Sequence, residues 1–289
     1  MRCPVEGDSG GKKSGAYRLF DDDLPTCCWW NWREGTSGVW VCGSRPATQE
    51  DRARHRAMIE QSRRERQAEQ AAQWSRNRAY LTRLWNSARP VTRQCPAGLY
   101  LEGRALCVPE SDALRFMPSL DYWDDSGLVG AFPAMLGAVT SPGGELVALH
   151  RTYLTRSGQK APVPTVRKLT RAAGPTAGAS IKIGQPAPRP DGCLAIGVAE
   201  GIETALAAAR LSGVTVWPCV SAHGVTSFEV PDQVRNLYVF ADHDASGVGQ
   251  RAGQALAARA AAAGLVARVV LPDGPGDWND ELLKRVATA

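Results

Sequence analysis

Three groups of acidic residues near the end of the chain have the types and spacing that bind a divalent metal ion. They are Glu200 beside Gly201, Asp242 with Asp244, and Asp277 with Asp280. Mg²⁺ prefers hard oxygen ligands, and proteins usually hold it with one or two carboxylates together with water and phosphate. Bound metal neutralises phosphate charge and orients the attacking and leaving oxygens. The acidic groups therefore indicate phosphoryl-transfer chemistry.

The elements around these acids predict a parallel α/β sheet. Apolar strands are expected at residues 194–199, 214–217, 237–241 and 267–271, and helices at 202–211 and 248–263. Continuous apolar strands that alternate with helices are typical of parallel sheets covered on both faces. Each acidic group follows one of these strands, and ligands of open α/β sheets bind at the carboxyl ends of strands. The sequence therefore predicts that Glu200, Asp242, Asp244 and Asp277 meet at one sheet edge.

Each acidic group also has an ordinary structural explanation when it is taken alone. Asp242 and Asp244 before Gly247 form a sequence that is common in turns. Asp277 or Asn279 could cap a helix over residues 280–286. The order of the three groups, and their place at strand ends, is what makes the pattern specific.

The rest of the chain divides into three further sections. Residues 1–46 predict a small β module, and residues 47–90 predict a long charged helix that starts near Thr48. Residues 91–190 predict an α+β section, in which strands at 132–139 and 146–153 are joined by the turn Pro142-Gly143-Gly144. Prolines 186, 188 and 190 set the boundary of the last section, 191–289.

Two features of the amino-terminal half each have two interpretations. Trp29, Trp30, Trp32 and Trp40 either form the core of the small β module, which is the expected arrangement, or stack on nucleic-acid bases. Residues 49–83 contain nine arginines against five acidic residues. That helix either follows a nucleic-acid backbone or is only a spacer.

Charge is unevenly distributed along the chain. Of the net +5, residues 191–289 contribute eleven acidic and seven basic side chains, or −4, which leaves +9 for the rest. Basic residues attract phosphate backbones, whereas carboxylates need divalent cations before they approach a phosphate. The sequence begins without an apolar run and has no apolar stretch of about 20 residues. We therefore expect a cytoplasmic protein with no membrane partner, whose eight cysteines are reduced.

Three motifs in the last section resemble those of Toprim domains. They are Glu200-Gly201-Ile202-Glu203-Thr204-Ala205-Leu206, Phe240-Ala241-Asp242-His243-Asp244-Ala245-Ser246-Gly247 and Gly276-Asp277-Trp278-Asn279-Asp280. This superfamily includes bacterial primases, topoisomerases and nucleases, and the chain most resembles the primase-like Toprim proteins of phages and plasmids. Upstream, the likeness includes Phe132-Pro133-Ala134-Met135, His150-Arg151-Thr152-Tyr153-Leu154 and Lys168-Leu169-Thr170. It covers roughly residues 95–289.

The resemblance implies a role for each matching residue. Glu200 would be the general acid/base. Asp242 and Asp244 would bind Mg²⁺ or Mn²⁺, with Asp277 and the adjacent Asp280 completing the metal site. The residues that would contact template or nucleoside triphosphate are Arg151, Lys168 and His150.

The chain departs from the bacterial primase pattern in two of the acidic motifs. Thr204 replaces the acidic residue four positions after Glu200, and Glu203 stands at three positions instead. Asn279 stands where a second aspartate is usual. We expect one metal ion to bind differently or weakly.

Primases of this kind usually carry an amino-terminal zinc ribbon. Cys3, Cys27, Cys28 and Cys42 could supply four thiolates for Zn²⁺, but the closely spaced cysteine pairs of structural zinc sites are missing. A degenerate ribbon that keeps a β fold without zinc is the expected form.

Three functions follow as hypotheses. The first is primase-like nucleotidyl transfer from nucleoside triphosphates on single-stranded DNA, during replication of a mobile element. A replicative helicase or other replication proteins of that element would then be partners. The second is strand cleavage by a Toprim nuclease, and the third is a non-catalytic Toprim module that binds nucleic acid or protein.

Overall fold

The computed structural model describes residues 1–9, 11, 13–20, 25–42, 49–190 and 192–288. The chain forms two compact units, Met1–Glu69 and Gln70–Ala289. Thr48, the predicted helix start, and Asp191, at the predicted boundary, lie outside the described residues. The section boundaries predicted at residues 46, 90 and 190 stay predictions.

The first unit contains an antiparallel sheet with the strand order of the sequence. Its strands are β1 (Arg2–Cys3), β2 (Gly15–Phe20), β3 (Thr26–Asn31) and β4 (Thr36–Val41). A long helix, α1 (Gln49–Ser87), begins in this unit and continues into the second. The predicted small β module and long charged helix are therefore confirmed as elements.

The four tryptophans of the first unit do not form the predicted core. Trp29, Trp30, Trp32 and Trp40 are 39%, 41%, 55% and 59% exposed. Of the described apolar side chains in these strands, Cys28 alone is buried. Gly38 lies in β4, and a Cβ there would be 2.7 Å from the Trp29 ring. Trp29 thus packs across a glycine of the neighbouring strand.

The four cysteines considered for zinc are not brought together as a metal site. Cys27 and Cys28 are neighbours on β3, so their side chains project to opposite faces of the sheet. Cys28 is buried, whereas Cys42 is exposed. No group of three His, Cys, Asp or Glu side chains that could hold a metal ion exists among the described residues.

The second unit begins with an antiparallel sheet in the order β5-β6-β7-β8-β9, with β10 beside β7. Its elements are β5 (Arg89–Pro90), α2 (Pro96–Glu102), β6 (Leu114–Asp124), β7 (Gly127–Thr140), β8 (Leu146–Tyr153), β9 (Arg167–Leu169) and β10 (Ser180–Ile181). The predicted hairpin around Pro142 is confirmed as β7 and β8.

A parallel sheet follows, with the short antiparallel strand β11 at one side. The elements are β11 (Ala187–Pro188), β12 (Leu194–Ala199), α3 (Ile202–Ser212), β13 (Val216–Pro218), α4 (Ala222–Ser227), β14 (Val234–Phe240), α5 (Val248–Ala262), β15 (Val266–Val270) and α6 (Trp278–Ala287). The predicted alternation of strands and helices is confirmed. No helix in the described part of the chain is long and apolar enough to cross a membrane.

Three hydrophobic cores hold the second unit together. Alternate residues of β7 enter two of them, because successive side chains of a strand project to opposite faces. Met135 packs in a core shared with α3 and α6 of the parallel-sheet module, whereas Leu136 packs against Leu81 of α1. The third core lies within the parallel-sheet module and contains Ile196 and Leu256. The shared first core fixes the antiparallel sheet against the parallel sheet.

Candidate functional site

The parallel strands bring the predicted acidic residues to one edge. Ala199 at the end of β12 pairs with Phe240 of β14, which in turn pairs with Val270 of β15. Glu200 directly follows β12, and Asp242 comes two residues after β14. Strand ends in register at one edge therefore place both carboxylates beside each other.

Backbone hydrogen bonds join the second and third acidic loops. The amide of His243 donates to the carbonyl of Gly276 at 2.9 Å, and the amide of Gly276 donates back at 3.1 Å. The Trp278 indole is buried against Phe240, with ring centroids 5.2 Å apart. It also donates to the Ala241 carbonyl at 3.2 Å. This double bridge holds Asp277 next to Asp242.

Burial and neighbouring negative charges shift the pKa of Asp242. The pKa of Asp242 is raised to about 6, first by burial and then by the negative charges of Asp277 and Glu200, with a smaller contribution from Asp244. The Thr204 hydroxyl donates to Oδ1 of Asp242 at 3.4 Å, and this hydrogen bond lowers the pKa. The negative charges of Asp277, Glu200 and Asp244 thus all act on Asp242.

Glu200 lies at the mouth of this site. Partial desolvation raises its pKa, and the charge of Asp244 raises it further. A hydrogen bond from the Ala222 amide lowers it, but the net shift is upward. A carboxyl group with a raised pKa is suited to exchanging protons near neutral pH.

Asp244, Asp277 and Asp280 also have structural partners. Asp244 accepts hydrogen bonds of 2.8 Å from the Ser246 hydroxyl and the Gly247 amide, which hold its pKa below the usual value. Asp277 accepts from the Asp280 amide at 2.8 Å, and Asp280 accepts from the Asp277 amide at 3.2 Å. This reciprocal pair is a capping box at the start of α6, the structural alternative recognised in the sequence.

The donor chemistry of the site fits Mg²⁺ or Mn²⁺. The repulsion that raises the pKa of Asp242 would be relieved by a hard cation between it and Asp277. The acids of the described residues do not form a complete ligand set for a metal ion. Magnesium sites commonly take only one or two carboxylates and complete their octahedron with water and substrate phosphate.

A cleft of about 380 Å³ separates these acids from the antiparallel sheet. Its wall on that side includes His150 of β8 and Arg167 of β9. A guanidinium nitrogen of Arg167 lies 2.8 Å from Oε1 of Glu203, which is almost fully buried. The Tyr100 hydroxyl donates to the same oxygen at 2.6 Å. Glu203 and Tyr100 therefore hold one positive charge on the wall that faces the acids.

Glu203 does not replace the acidic residue that the family has one position later. Thr204 is the residue directed at Asp242, while Glu203 points to Arg167 and Tyr100. Burial raises the pKa of Glu203, but the charge of Arg167 and the hydrogen bonds outweigh it, so the pKa lies below its usual value. Glu203 is thus a buried, ionised partner of Arg167.

The predicted basic residues divide between the two faces of the β8–β9 pair. Lys168 pairs with Arg151, and Leu169 pairs with His150. Because paired residues share a face and successive residues alternate, Arg151 and Lys168 lie on the face opposite to His150 and Arg167. The Lys168 ammonium group lies 4.2 Å from the centroid of the Tyr122 ring. Arg151 donates to the carbonyl of Leu169 at 2.9 Å.

Lys168 also lines the cleft, but its ammonium group donates to the Trp123 carbonyl at 2.5 Å. Of the three predicted residues, His150 is the one whose side chain lies on the cleft side of the pair. It is 8% exposed, and burial lowers its pKa to about 4 despite the nearby charge of Glu203. Its Nδ1 atom has no hydrogen-bond partner in the described structure. A neutral imidazole at this place offers a hydrogen bond to a ligand but no positive charge.

Arg167 and Tyr100 are site residues that the sequence did not predict. Arg167 directly precedes the predicted Lys168, so the signal was a basic pair on a short strand, and only the strand register distinguishes its members. Tyr100 lies 103 positions from Glu203 and carries no motif. Asn279, noted as a departure from the family pattern, is fully buried and donates to the Arg104 carbonyl at 2.8 Å.

Comparison with protein families identifies two segments of the chain. Residues 195–287 match the model described as Toprim domain. Residues 75–181 match one described as Domain of unknown function (DUF7146). The carboxy-terminal segment is therefore a Toprim domain, which confirms the resemblance of its three motifs. No curated protein matches the chain significantly.

Several solved structures are similar to the chain. A DNA primase domain from Pseudomonas aeruginosa is 12% identical, with 72% of this chain and 74% of that chain covered and a TM-score of 0.45. The primase fragment of the bacteriophage T7 primase-helicase protein is 18% identical, with coverage of 64% and 73% and a TM-score of 0.39. The zinc-binding and RNA polymerase domains of Aquifex aeolicus primase are 13% identical, with coverage of 97% and 79% and a TM-score of 0.45.

Proposed function

We propose that this protein is a primase-like nucleotidyltransferase that joins nucleoside triphosphates on single-stranded DNA and depends on Mg²⁺ or Mn²⁺. The observation that carries the proposal is one cleft lined by Glu200, Asp242 and Asp277 on one side and by Arg167 on the other. Clustered carboxylates that face a fixed guanidinium group suit a reaction in which metal and phosphate meet. The Toprim assignment of residues 195–287 supports the same chemistry.

Five residues of the cleft have a part in this proposal. Asp242 and Asp277 would hold the metal ion, which supplies charge neutralisation for the phosphate when it is bound. Glu200 accepts the proton of the attacking 3′ hydroxyl, and its raised pKa favours that role. Arg167 donates hydrogen bonds to phosphate oxygens, since charged donors bind phosphate strongly. Thr204 orients Asp242.

The wider context belongs to the same proposal and rests on the resemblance of the motifs. It comprises replication of a mobile element, with a replicative helicase or other replication proteins of that element as partners. Arg151 and Lys168 remain predicted contacts for the template. Their side chains lie on the face of the β8–β9 pair opposite to the cleft. Such contacts would therefore be made to a part of the template that lies outside the cleft.

A non-catalytic nucleic-acid-binding module is the second candidate, and one observation favours it. Asp277 and Asp280 satisfy each other's backbone amides, and Asp244 is bound to Ser246 and Gly247. These three carboxylates therefore have a structural use that needs no metal ion. A strand-cleaving enzyme would use the same site, with water in place of the 3′ hydroxyl.

A primer-synthesis assay tests the proposal. Full-length protein is incubated with single-stranded DNA, labelled nucleoside triphosphates and Mn²⁺, and the extended products are separated on a gel. Glu200→Gln removes the proton acceptor, so product formation should fall about 100-fold or more. Asp242→Asn should have an effect at least as large, because it removes a proposed metal ligand.

Asp232→Asn is the matched control. Asp232 is exposed and precedes β14, so it lies at the opposite end of the strand from Asp242 and should leave product formation unchanged. Product that survives both Glu200→Gln and Asp242→Asn would contradict the proposal. Shortening of the labelled strand in place of extension would indicate the nuclease, and DNA binding without either product would indicate the non-catalytic module.

A further inference from the structure

One side of α1 carries arginines that the carboxylate site does not use. Arg56, Arg63 and Arg66 are all exposed. Since each helical residue turns the chain by about 100°, the three lie within about 80° of one another around the axis, and they span about 15 Å along it. Ile59 and Gln70, which fall in the same sector, are uncharged. The three arginines therefore form a continuous positive stripe.

A fourth arginine joins this stripe from the sheet of the first unit. Arg18 of β2 donates to the Ser62 hydroxyl at 3.2 Å, while Nε of Arg66 donates to the Ser62 carbonyl at 3.1 Å. The Arg18 guanidinium also lies 5.1 Å from the centroid of the Phe20 ring. Two guanidinium groups are thus held at one residue of α1. We define the arginine patch as Arg18, Arg56, Arg63 and Arg66.

The arginine patch has no acidic partner. None of its members forms an ion pair with an acidic side chain in the described part of the chain. Glu60, the acid next to the stripe on the helix surface, is bound by Arg64 at 3.2 Å. Glu65 and Glu69 fall outside the sector of the stripe. Like charges side by side repel each other, so an anionic partner would be bound favourably.

The residue types of the stripe distinguish among anionic partners. Residues 56–70 contain no aromatic residue and no lysine. Proteins that bind single strands combine positive charge with aromatic side chains on which bases stack, and the stripe has none. Double-stranded DNA carries one negative charge per about 1.7 Å of its axis, so a row of arginines can neutralise several phosphates without contacting bases. Guanidinium groups also match phosphate oxygens with paired hydrogen bonds.

We propose that the arginine patch binds the phosphate backbone of double-stranded nucleic acid, independently of base sequence. Its four residues belong to the first unit, whereas the carboxylates of the candidate site belong to the second. The contact is electrostatic and requires neither a metal ion nor a nucleoside triphosphate.

Binding of a duplex in the absence of metal tests the proposal. Full-length protein in EDTA is titrated with a labelled DNA duplex of mixed sequence, and affinity is measured by fluorescence anisotropy at several salt concentrations. Arg63→Gln/Arg66→Gln should weaken binding about tenfold at low salt. The slope of log affinity against log salt should decrease by about two units, one for each phosphate contact that is lost.

Arg64→Gln/Arg76→Gln is the matched control. It removes the same number of charges from exposed positions of the same helix, but both residues lie outside the sector of the stripe. Its duplex affinity should therefore stay within about twofold of the wild-type value, because distant surface charges are screened by salt. Arg63→Lys/Arg66→Lys keeps the charges and should retain the full salt dependence.

Three results would overturn the proposal. The first is equal duplex affinity in Arg63→Gln/Arg66→Gln and in the control pair. The second is weaker binding of a labelled oligothymidylate with unchanged duplex binding, which would assign the patch to a single strand. The third is an equally large loss of affinity for polyglutamate, which would show that the patch binds any polyanion, acidic polypeptides included.

Neither folding nor catalysis interferes with this test. All substituted positions are exposed, so each double variant should have the thermal unfolding temperature of the wild type. Because the titration contains no metal ion and no nucleoside triphosphate, duplex binding and primer synthesis are separate measurements. A protein that makes no primer but binds duplex through the patch would contradict only the proposed function.

Discussion

Two tryptophans on strands of the two units differ sharply in burial. Trp40 of the first unit is 59% exposed, whereas Trp217 of the second unit is 5% exposed and packs against Phe228. Both lie on β-strands, so local sequence does not explain the difference. The strand of Trp217 belongs to a sheet covered by helices, while the described strands of the first unit bury a single apolar side chain. Burial therefore depends on a second layer more than on residue type.

The largest expected effect is at Trp217. Trp217→Ala removes a buried ring and the hydrogen bond from its indole to the Gly184 carbonyl. The free energy of unfolding should fall by about 3–5 kcal/mol. Urea denaturation followed by circular dichroism measures the change. A loss below about 1 kcal/mol would mean that the parallel-sheet module is no better packed than the first unit.

The next largest loss of stability is expected when a buried ion pair is broken, with an exposed ion pair as the control. Arg167→Met leaves Glu203, which is 3% exposed, with Tyr100 as its hydrogen-bond donor. Removing one partner of a buried pair is strongly destabilising, but Arg167 is about half exposed, so we expect a loss of about 2–3 kcal/mol. The control is Arg64→Met in the first unit, whose partner Glu60 is exposed, with an expected loss below about 0.5 kcal/mol.

The effect of Arg167→Met should also depend on pH. The pKa of Glu203 lies below its usual 4.5 in the folded protein, so the pair stabilises the fold above that pH. This stabilisation is lost as the pH falls through the folded pKa. The difference between wild type and variant should therefore shrink as the pH falls below 4.5 and through the folded pKa. An equal difference at pH 7 and pH 3 would show that the lost interaction is packing and not charge.

The smallest effect should come from Trp40→Ala. Exposed side chains contribute little to stability, so the free energy of unfolding should change by less than about 1 kcal/mol. The variant should lose part of the tryptophan fluorescence that iodide quenches, because Trp40 is accessible to solvent. A loss of stability comparable to that of Trp217→Ala would show that this face is covered in solution.

The sequence predicted the acidic edge of the sheet better than the wall opposite to it. Apolar strands that alternate with helices imply parallel strands, and parallel strands imply a common edge for Glu200, Asp242 and Asp277. No such rule locates Arg167. Whether Arg167 or Lys168 faces the cleft depends on how three residues of β9 pair with β8, and three residues carry too little pattern to fix a register.

The sequence left the role of Asp277 undecided and misplaced the tryptophans, for different reasons. Asp277 as a metal ligand and Asp277 as a helix cap require the same residue type, so the sequence allows both. The structure shows the cap. The exposure of Trp29 depends on whether another layer covers the sheet, which is a property of tertiary structure that strand patterns do not contain.

Residues 154–166 connect β8 to β9, and the length of this segment determines which basic side chain of β9 faces the acids. Deleting one residue there and shifting β9 by one position would turn Lys168 toward the acids and Arg167 away from them. A planar, two-pronged donor would thus be exchanged for a compact ammonium group without any substitution in the strand. In related chains, insertions and deletions in this segment deserve the same scrutiny as changes of the acidic residues themselves.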